Sequence, residues 1–236
     1  MKSDIIKAQK EILDILADRI NEFYLAGGTA LSLFYFNHRL SDDLDFFTQE
    51  FHAGRIREIA EYIKKKTEKD ITLVGQNLSK TTAEIMVYNL ELGKEKFLKI
   101  DFVKDIFSLI KSVKDFNGIK VLSIEDIYLR KIYATTGLRI DVDEIGRSKF
   151  VGGRQEAKDL FDIYFLSKEF LSLADFIDEF CGQVMKEGII RWFRTFKRLE
   201  MKIELADIKT DKKVDFREID RHLAGEIEKI LVREIE

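Results

Sequence analysis

The sequence predicts an α+β protein: a mixed sheet with helices, followed by a helical C-terminal half. Three observations carry that prediction. Short alternating apolar segments are confined to the first half of the chain. From Ser123 onward apolar residues recur almost throughout at helical spacing. The 236 residues are 45% hydrophobic and 35% charged, with 19 Phe, enough to bury a sizeable core and to exclude disorder for most of the chain.

The elements follow in order. The first twenty residues read as an amphipathic helix, with Ile5, Ala8, Ile12, Leu16 and Ile20 on one side. Residues 23–26 form a short apolar strand entering a Gly27-Gly28 turn, and residues 29–36 a short buried helix. Residues 43–48 alternate as a strand, and residues 53–66 form a helix with Ile56, Ile59, Ala60 and Ile63 on one side. Strand-like segments at 71–74, 83–90 and 97–103, joined by polar connections, suit antiparallel neighbours. Ser123, with acidic residues at 125 and 126, marks a helix start. Helices are then expected at 124–136, 155–167, 172–180, 183–203 and 216–235. Residues 137–153, with four glycines, read as a long mobile loop and a candidate lid. The chain thus divides into residues 1–122, an α/β core, and residues 123–236, a helical domain expected to complete a cleft.

Composition removes several function classes. A net charge of −3 speaks against coating nucleic acid by bulk charge. The single cysteine, Cys181, allows no intrachain disulfide, and the scattered His38, His52 and His222 offer no zinc-type ligand set. No apolar run approaches the ~18 residues of a membrane span, and the charged N-terminus lacks a signal-peptide core, so a soluble, cytoplasmic protein is expected. Proline is absent, where average usage predicts roughly a dozen, which leaves turns to Gly, Asn, Asp and Ser.

The chemistry lies in FYLAGGTALSLFYFNHRLSDDLDFF, residues 23–47. Asp43 and Asp45, two apart on a strand, point to one face, while Leu44 and Phe46 point to the other. Two neighbouring carboxylates repel unless something positive sits between them, and an oxygen-preferring divalent cation, most naturally Mg²⁺, answers that need. Upstream, Gly27 and Gly28 allow close backbone approach at a strand-to-helix turn, where free N–H groups suit an anion. Phosphate-binding backbone beside a metal-binding carboxylate pair is what transfer from a nucleoside triphosphate requires. A third carboxylate, Asp101 in FLKIDFV, faces away from Leu98, Ile100 and Phe102. It is a candidate general base and a ligand to a second metal.

At these residues the chain resembles the nucleotidyltransferase signature of the DNA polymerase beta superfamily. The fuller text, Gly27-Gly28-Thr29-Ala30-Leu31 followed by His38-Arg39-x-Ser41-x-Asp43-Leu44-Asp45-Phe46-Phe47, is similar to the AbiEii/AbiGii toxin-type nucleotidyltransferases. Members of that family also carry a later lysine in a helix and an Asp-containing helix downstream, places taken here by Lys131 in LRKIYA and Asp159 in EAKDLFDIYFL. The resemblance covers about residues 5–168 and implies a nucleotidyltransferase-like sheet. It also implies roles for individual residues. Gly27, Gly28 and Thr29 would contact the triphosphate, Asp43 and Asp45 would bind Mg²⁺, and Asp101 would be the third carboxylate. Lys131 would reach the phosphates, and Asp159 would orient Lys131 or the nucleotide. Arg39 would pair with a carboxylate of the site or contact phosphate, and Ser41 belongs to the same nucleotide-contacting stretch. The implied activity is transfer of a nucleoside monophosphate from an NTP to an acceptor hydroxyl, on transfer RNA or protein, by a toxin that a separate antitoxin silences.

Plainer readings compete. Asp101 as an edge-strand acid, Lys131 as a snorkelling surface lysine, and Asp162 in place of Asp159 are the main ones. His38 reads as a loop residue, Arg154 as a surface group or a nucleotide contact, and Cys181 as idle core. Arg191, Arg194, Arg198 and Lys202 form a basic stripe on the 183–203 helix, a solvated face or an RNA track. Two alternatives to the toxin reading are a catalytically silent nucleotide- or RNA-binding protein and a stand-alone nucleotidyltransferase acting on a small molecule. Clustered acids argue against the first, and toxicity on expression separates the second.

Overall fold

The computed structural model describes residues 2–79, 83–93, 95–137, 139–142, 144–145, 148–151 and 153–235. The chain divides into two compact units. The first comprises Met1–Tyr35 and Ser41–Asp126, the second Phe36–Leu40 and Ile127–Glu236. Five residues between the glycine turn and the Asp43/Asp45 strand are therefore built into the helical unit.

In the first unit the elements are α1 (Lys2–Leu16), β1 (Tyr24–Leu25), α2 (Gly27–Ala30), β2 (Asp43–Thr48), α3 (Ala53–Thr67), β3 (Ile71–Asn77), β4 (Ile85–Gly93), β5 (Lys96–Lys104), β6 (Lys114–Phe116) and β7 (Ile119–Val121). Among the described residues seven strands form one sheet in the order β3-β4-β5-β2-β1-β7-β6. Pairing is antiparallel for β3/β4, β4/β5, β1/β2 and β6/β7, and parallel for β2/β5 and β1/β7. Alternation sorts the strands: Leu44, Phe46, Met86, Leu90, Leu98, Ile100 and Phe102 are fully buried. Helices α1 and α3 pack on each other and on β3, β4 and β5, contributing Ile12, Leu16, Ile56, Ile59 and Ile63. Phe102 joins the layers, stacked on Phe46 at 5.6 Å and edge-on to Phe23 at 5.3 Å.

The second unit contains most of α4 (Ile124–Thr136), which begins in the first, then β8 (Arg139–Val142), β9 (Ser148–Val151), α5 (Ala157–Glu169), α6 (Leu173–Phe180), α7 (Gln183–Thr195), α8 (Arg198–Asp207) and α9 (Phe216–Arg233). Helix α5 is central, with Leu160, Phe161, Ile163, Tyr164, Phe165 and Leu166 all buried, and it packs against α6, α8 and α9.

Four sequence expectations change. The helix expected at 29–36 starts at Gly27, and Leu31–Phe36 wind as a π-helix. Residues 114–121, unassigned from sequence, form the β6/β7 hairpin around Asn117 and Gly118, both at positive φ. The long helix at 183–203 is two helices. Phe196 leaves the helical region (φ −67°, ψ 144°) so that its buried ring packs on Trp192 and Phe193, each at 5.4 Å. The basic stripe is split by that break, and Arg198 lies over the Phe193 and Phe196 rings and pairs with Asp220 at 3.2 Å. Finally, the stretch read as a loop at 137–153 contains the antiparallel β8/β9 pair. Residues 138, 143, 146, 147 and 152 of that stretch lie outside the described residues.

Candidate active site

The carboxylates of the first unit are brought together by strand register. In the parallel β2/β5 pair Asp45 is the partner of Asp101, and Asp43 the partner of Lys99. Paired residues on adjacent strands share a face about 4.8 Å apart. Asp43, Asp45, Lys99 and Asp101 therefore occupy the sheet face opposite Leu44, Phe46, Ile100 and Phe102.

Local contacts hold these acids. Ala26 N–H donates to the Asp45 carbonyl at 2.9 Å, closing β1 on β2 immediately before the glycines. Gly27 sits at φ +67°, and a Cβ there would collide with the Asp45 carboxylate, so glycine is required both for the backbone conformation and for that approach. Gly28 is buried in α2. The buried Thr29 hydroxyl donates to the Asp43 carbonyl. Gln9, 1% exposed on α1, donates through Nε2 to the Ser41 carbonyl at 2.8 Å and the Asp43 carbonyl at 3.0 Å. Two side chains thus converge on the backbone that presents Asp43.

Asp101 is 7% exposed. Its Oδ2 accepts from Lys99 Nζ at 2.5 Å, whereas its buried Oδ1 has no hydrogen-bond partner among the described residues. Burial pushes the Asp101 carboxyl above its ordinary value, Lys99 opposes that shift, and Asp43 adds to it. Lys99 is raised against its own desolvation by Asp101, Asp43 and Asp45. An all-oxygen donor set with an orphaned buried carboxylate oxygen fits a hard divalent cation in kind. As the side chains stand, no three such groups converge on one point among the described residues.

Arg39, Lys131 and Asp159 come together within the second unit. Asp162 on α5 is completely buried. Its Oδ1 accepts from His38 Nε2 at 2.7 Å and Arg39 Nε at 2.6 Å, and its Oδ2 from Arg39 Nη2 at 2.8 Å. Lys131 Nζ lies between Asp162 Oδ2 at 2.7 Å and Asp159 Oδ1 at 2.8 Å, and is buried rather than snorkelling. Arg154 closes the group on Asp159 through Nε at 2.5 Å and Nη2 at 3.0 Å. Burial alone would raise the Asp162 carboxyl, but Arg39 and Lys131 outweigh it and hold the group well below the usual range. Asp159 is lowered against its burial by Lys131 and Arg154.

Sequence reasoning missed Gln9 and Lys99, set His38 aside as a loop residue, and ranked Asp162, the hub of these contacts, behind Asp159. A signal existed for Asp162, a lone charge inside the apolar run LFDIYFL, where an unpaired ion is costly. For His38 and Gln9 there was none, because their partners are 124 residues away in one case and 32 and 34 in the other.

Comparison with known proteins decides the family. The profile of the nucleotidyl transferase AbiEii toxin family of type IV toxin–antitoxin systems matches residues 12–233. The chain belongs to this AbiEii family. Its fold is similar to that of JHP933 from Helicobacter pylori (TM-score 0.58, 19% identity, 99% of this chain and 94% of that one). It is likewise similar to MenT4, a nucleotidyltransferase toxin of Mycobacterium tuberculosis H37Rv (TM-score 0.59, 13% identity, 98% and 84%). A 44-residue stretch is 54% identical to an uncharacterized protein of Aquifex aeolicus (strain VF5), covering 18% of this chain and 21% of that relative. Like its family, the AbiEii chain is a transferase of the toxin type. None of its described helices is long and apolar enough to cross a membrane.

Proposed function

We propose that this AbiEii chain transfers a nucleoside monophosphate from an NTP to an acceptor hydroxyl with Mg²⁺, as a cytoplasmic toxin silenced by a separate antitoxin. The observation that carries the reading is the Asp45–Asp101 pairing on adjacent parallel strands, with Asp43 on the same face and a buried Asp101 oxygen without a hydrogen-bond partner among the described residues. Asp43, Asp45 and Asp101 would hold the cation, which when bound neutralises phosphate charge and aligns attack on the α-phosphate. Gly27, free of a Cβ, leaves the Asp45 carboxylate accessible, and Thr29 and Gln9 fix the backbone beneath Asp43. Asp101, raised by burial, is suited to accept the proton of the attacking hydroxyl. The family resemblance assigns Gly28 to the triphosphate, Lys131 to the phosphates and Asp159 to orienting Lys131 or the nucleotide, with Ser41 in the same nucleotide-contacting stretch and Arg39 pairing with a carboxylate of the site or contacting phosphate. Catalysis then rests on positioning and charge neutralisation.

The test combines the purified protein, Mg²⁺, each α-labelled NTP in turn, and total RNA with cell protein. The control is the Asp43→Ala/Asp45→Ala protein. Label transferred only by the wild type supports the reading, and nuclease or protease sensitivity names the acceptor class. Nucleotide binding without transfer to either acceptor would replace it with that of a silent binder.

A further inference from the structure

Arg39, Lys131 and Arg154 share the carboxylates of Asp159 and Asp162, but solvent reaches them unequally. The side chains of Arg39 and Lys131 are 6% and 7% exposed; both are held by Asp162, and Lys131 bridges to Asp159. Turning either toward an anion from solvent would break a buried ion pair and leave a desolvated carboxylate behind. The Arg154 side chain, in contrast, is 44% exposed.

Arg154 is nonetheless fixed at both ends. A Cβ on Gly153 would collide with the Thr135 carbonyl oxygen, so glycine lets the chain lie directly against the last turn of α4. The Arg154 N–H then donates to the Ala134 carbonyl at 2.9 Å. From there the guanidinium reaches the first turn of α5, where Nε and Nη2 fork onto the two oxygens of Asp159 at 2.5 and 3.0 Å. That fork draws on two of the five N–H donors of a guanidinium. A side chain already ordered in this way loses little further freedom when a ligand docks, and a planar guanidinium matches the paired oxygens of a phosphate. Lys158, equally exposed at 45%, has no such anchoring: its ion-pair partner at 3.0 Å is Glu156, itself 41% exposed.

We propose that Arg154 is a phosphate-binding residue, the outward contact of a cluster whose interior is Lys131 with Asp159 and Asp162. The proposal rests on the nucleotidyl-transfer reading above and adds to it a contact that the family resemblance does not assign. The phosphate is that of the nucleotide's triphosphate or of a nucleic-acid acceptor's backbone, and the two sources are separated by experiment.

Binding to the full-length protein is measured by titration calorimetry for wild type, Arg154→Met, Arg154→Lys and Lys158→Met, each first shown to be folded at the assay temperature. One arm uses inorganic tripolyphosphate with Mg²⁺, the other a short single-stranded RNA without terminal phosphates. Arg154→Met is expected to weaken binding in one arm about tenfold, equivalent to about 1.4 kcal/mol. Arg154→Lys, which keeps the charge and loses the fork, should weaken it less. Lys158→Met removes the same charge one residue from Asp159 and should stay within about twofold of wild type. A loss in the tripolyphosphate arm names the nucleotide as the source; a loss in the RNA arm, with a shallower salt dependence, names the acceptor. If Arg154 only ties α4 to α5, Arg154→Met will melt lower while both affinities of the folded protein stay at the wild-type value, and the proposal is overturned. An equal loss in Arg154→Met and Lys158→Met overturns it as well. Wild-type protein that binds neither probe removes the nucleotidyl-transfer reading beneath it.

Discussion

Replacing Asp162 with asparagine preserves the shape of the side chain and removes its charge. In the native protein each Asp162 oxygen accepts from two donors: His38 and Arg39 Nε on one, Arg39 Nη2 and Lys131 on the other. An amide has one such oxygen, so whichever way the substituted side chain turns, its NH₂ opposes two buried donors. Breaking a fully buried ion pair by removing one partner costs about 3–5 kcal/mol, because the cations left behind remain desolvated. For a unit of this size that is a fall in melting temperature of roughly 10–20 °C. The chain's single tryptophan, Trp192, is 4% exposed within the same unit, so urea unfolding followed by its fluorescence reads the affected structure directly. The pH dependence gives a second handle. The folded Asp162 carboxyl lies well below its ordinary value, so the unfolded chain takes up the proton first. Its stabilisation is thus fully present above the unfolded value of about 3.9 and is lost as pH falls through the depressed folded value. The gap between wild type and Asp162→Asn should be flat from pH 7 to 5 and narrow below. A loss under about 1 kcal/mol, the range of surface ion pairs, would refute the hub role of Asp162.

Three further outcomes are expected. Gly27→Ala should cost about 1–2 kcal/mol for its left-handed backbone and, by pushing Asp45 aside, lower labelled transfer by roughly 100-fold or more; near-native transfer would show that the approach of Gly27 to Asp45 is incidental. Asp101→Asn should abolish transfer without loss of stability at pH 7. The folded carboxyl is raised by burial, so stability falls as pH climbs from the unfolded value through the folded one, and neutral asparagine escapes that penalty. Thermal melts of this variant at pH 4 and 7 check the sign. Gln9→Leu removes a donor from the Ser41 carbonyl and leaves the Asp43 carbonyl to Thr29, costing about 1–3 kcal/mol. It should also lower kcat by roughly tenfold, measured per folded molecule, through misplacement of Asp43.

Legibility in the sequence followed the range of the physics involved. The alternation at Asp43–Thr48 and in FLKIDFV depends on near neighbours, and the strands and their acid-bearing face appear as that pattern requires. The Asn117-Gly118 pair, both at positive φ, was an equally local hairpin signal that the apolar pattern around it concealed. The break at Phe196 was not local. Its helix-compatible sequence is overridden because burying that ring against Trp192, Phe193 and Phe216 gains more than continuing the helix.

The sequence by itself determined the fold class, the glycine turn and the spacing of Asp43 and Asp45, since backbone periodicity and steric permission are properties of a few adjacent residues. Tertiary structure alone decided that Asp45 stands beside Asp101, that Lys99 pairs with Asp101, and that His38, Arg39 and Lys131 share Asp162. Partners so far apart in the chain meet only through strand register and helix packing. A buried charge announces in sequence that it needs a counter-charge, but the fold chooses which one.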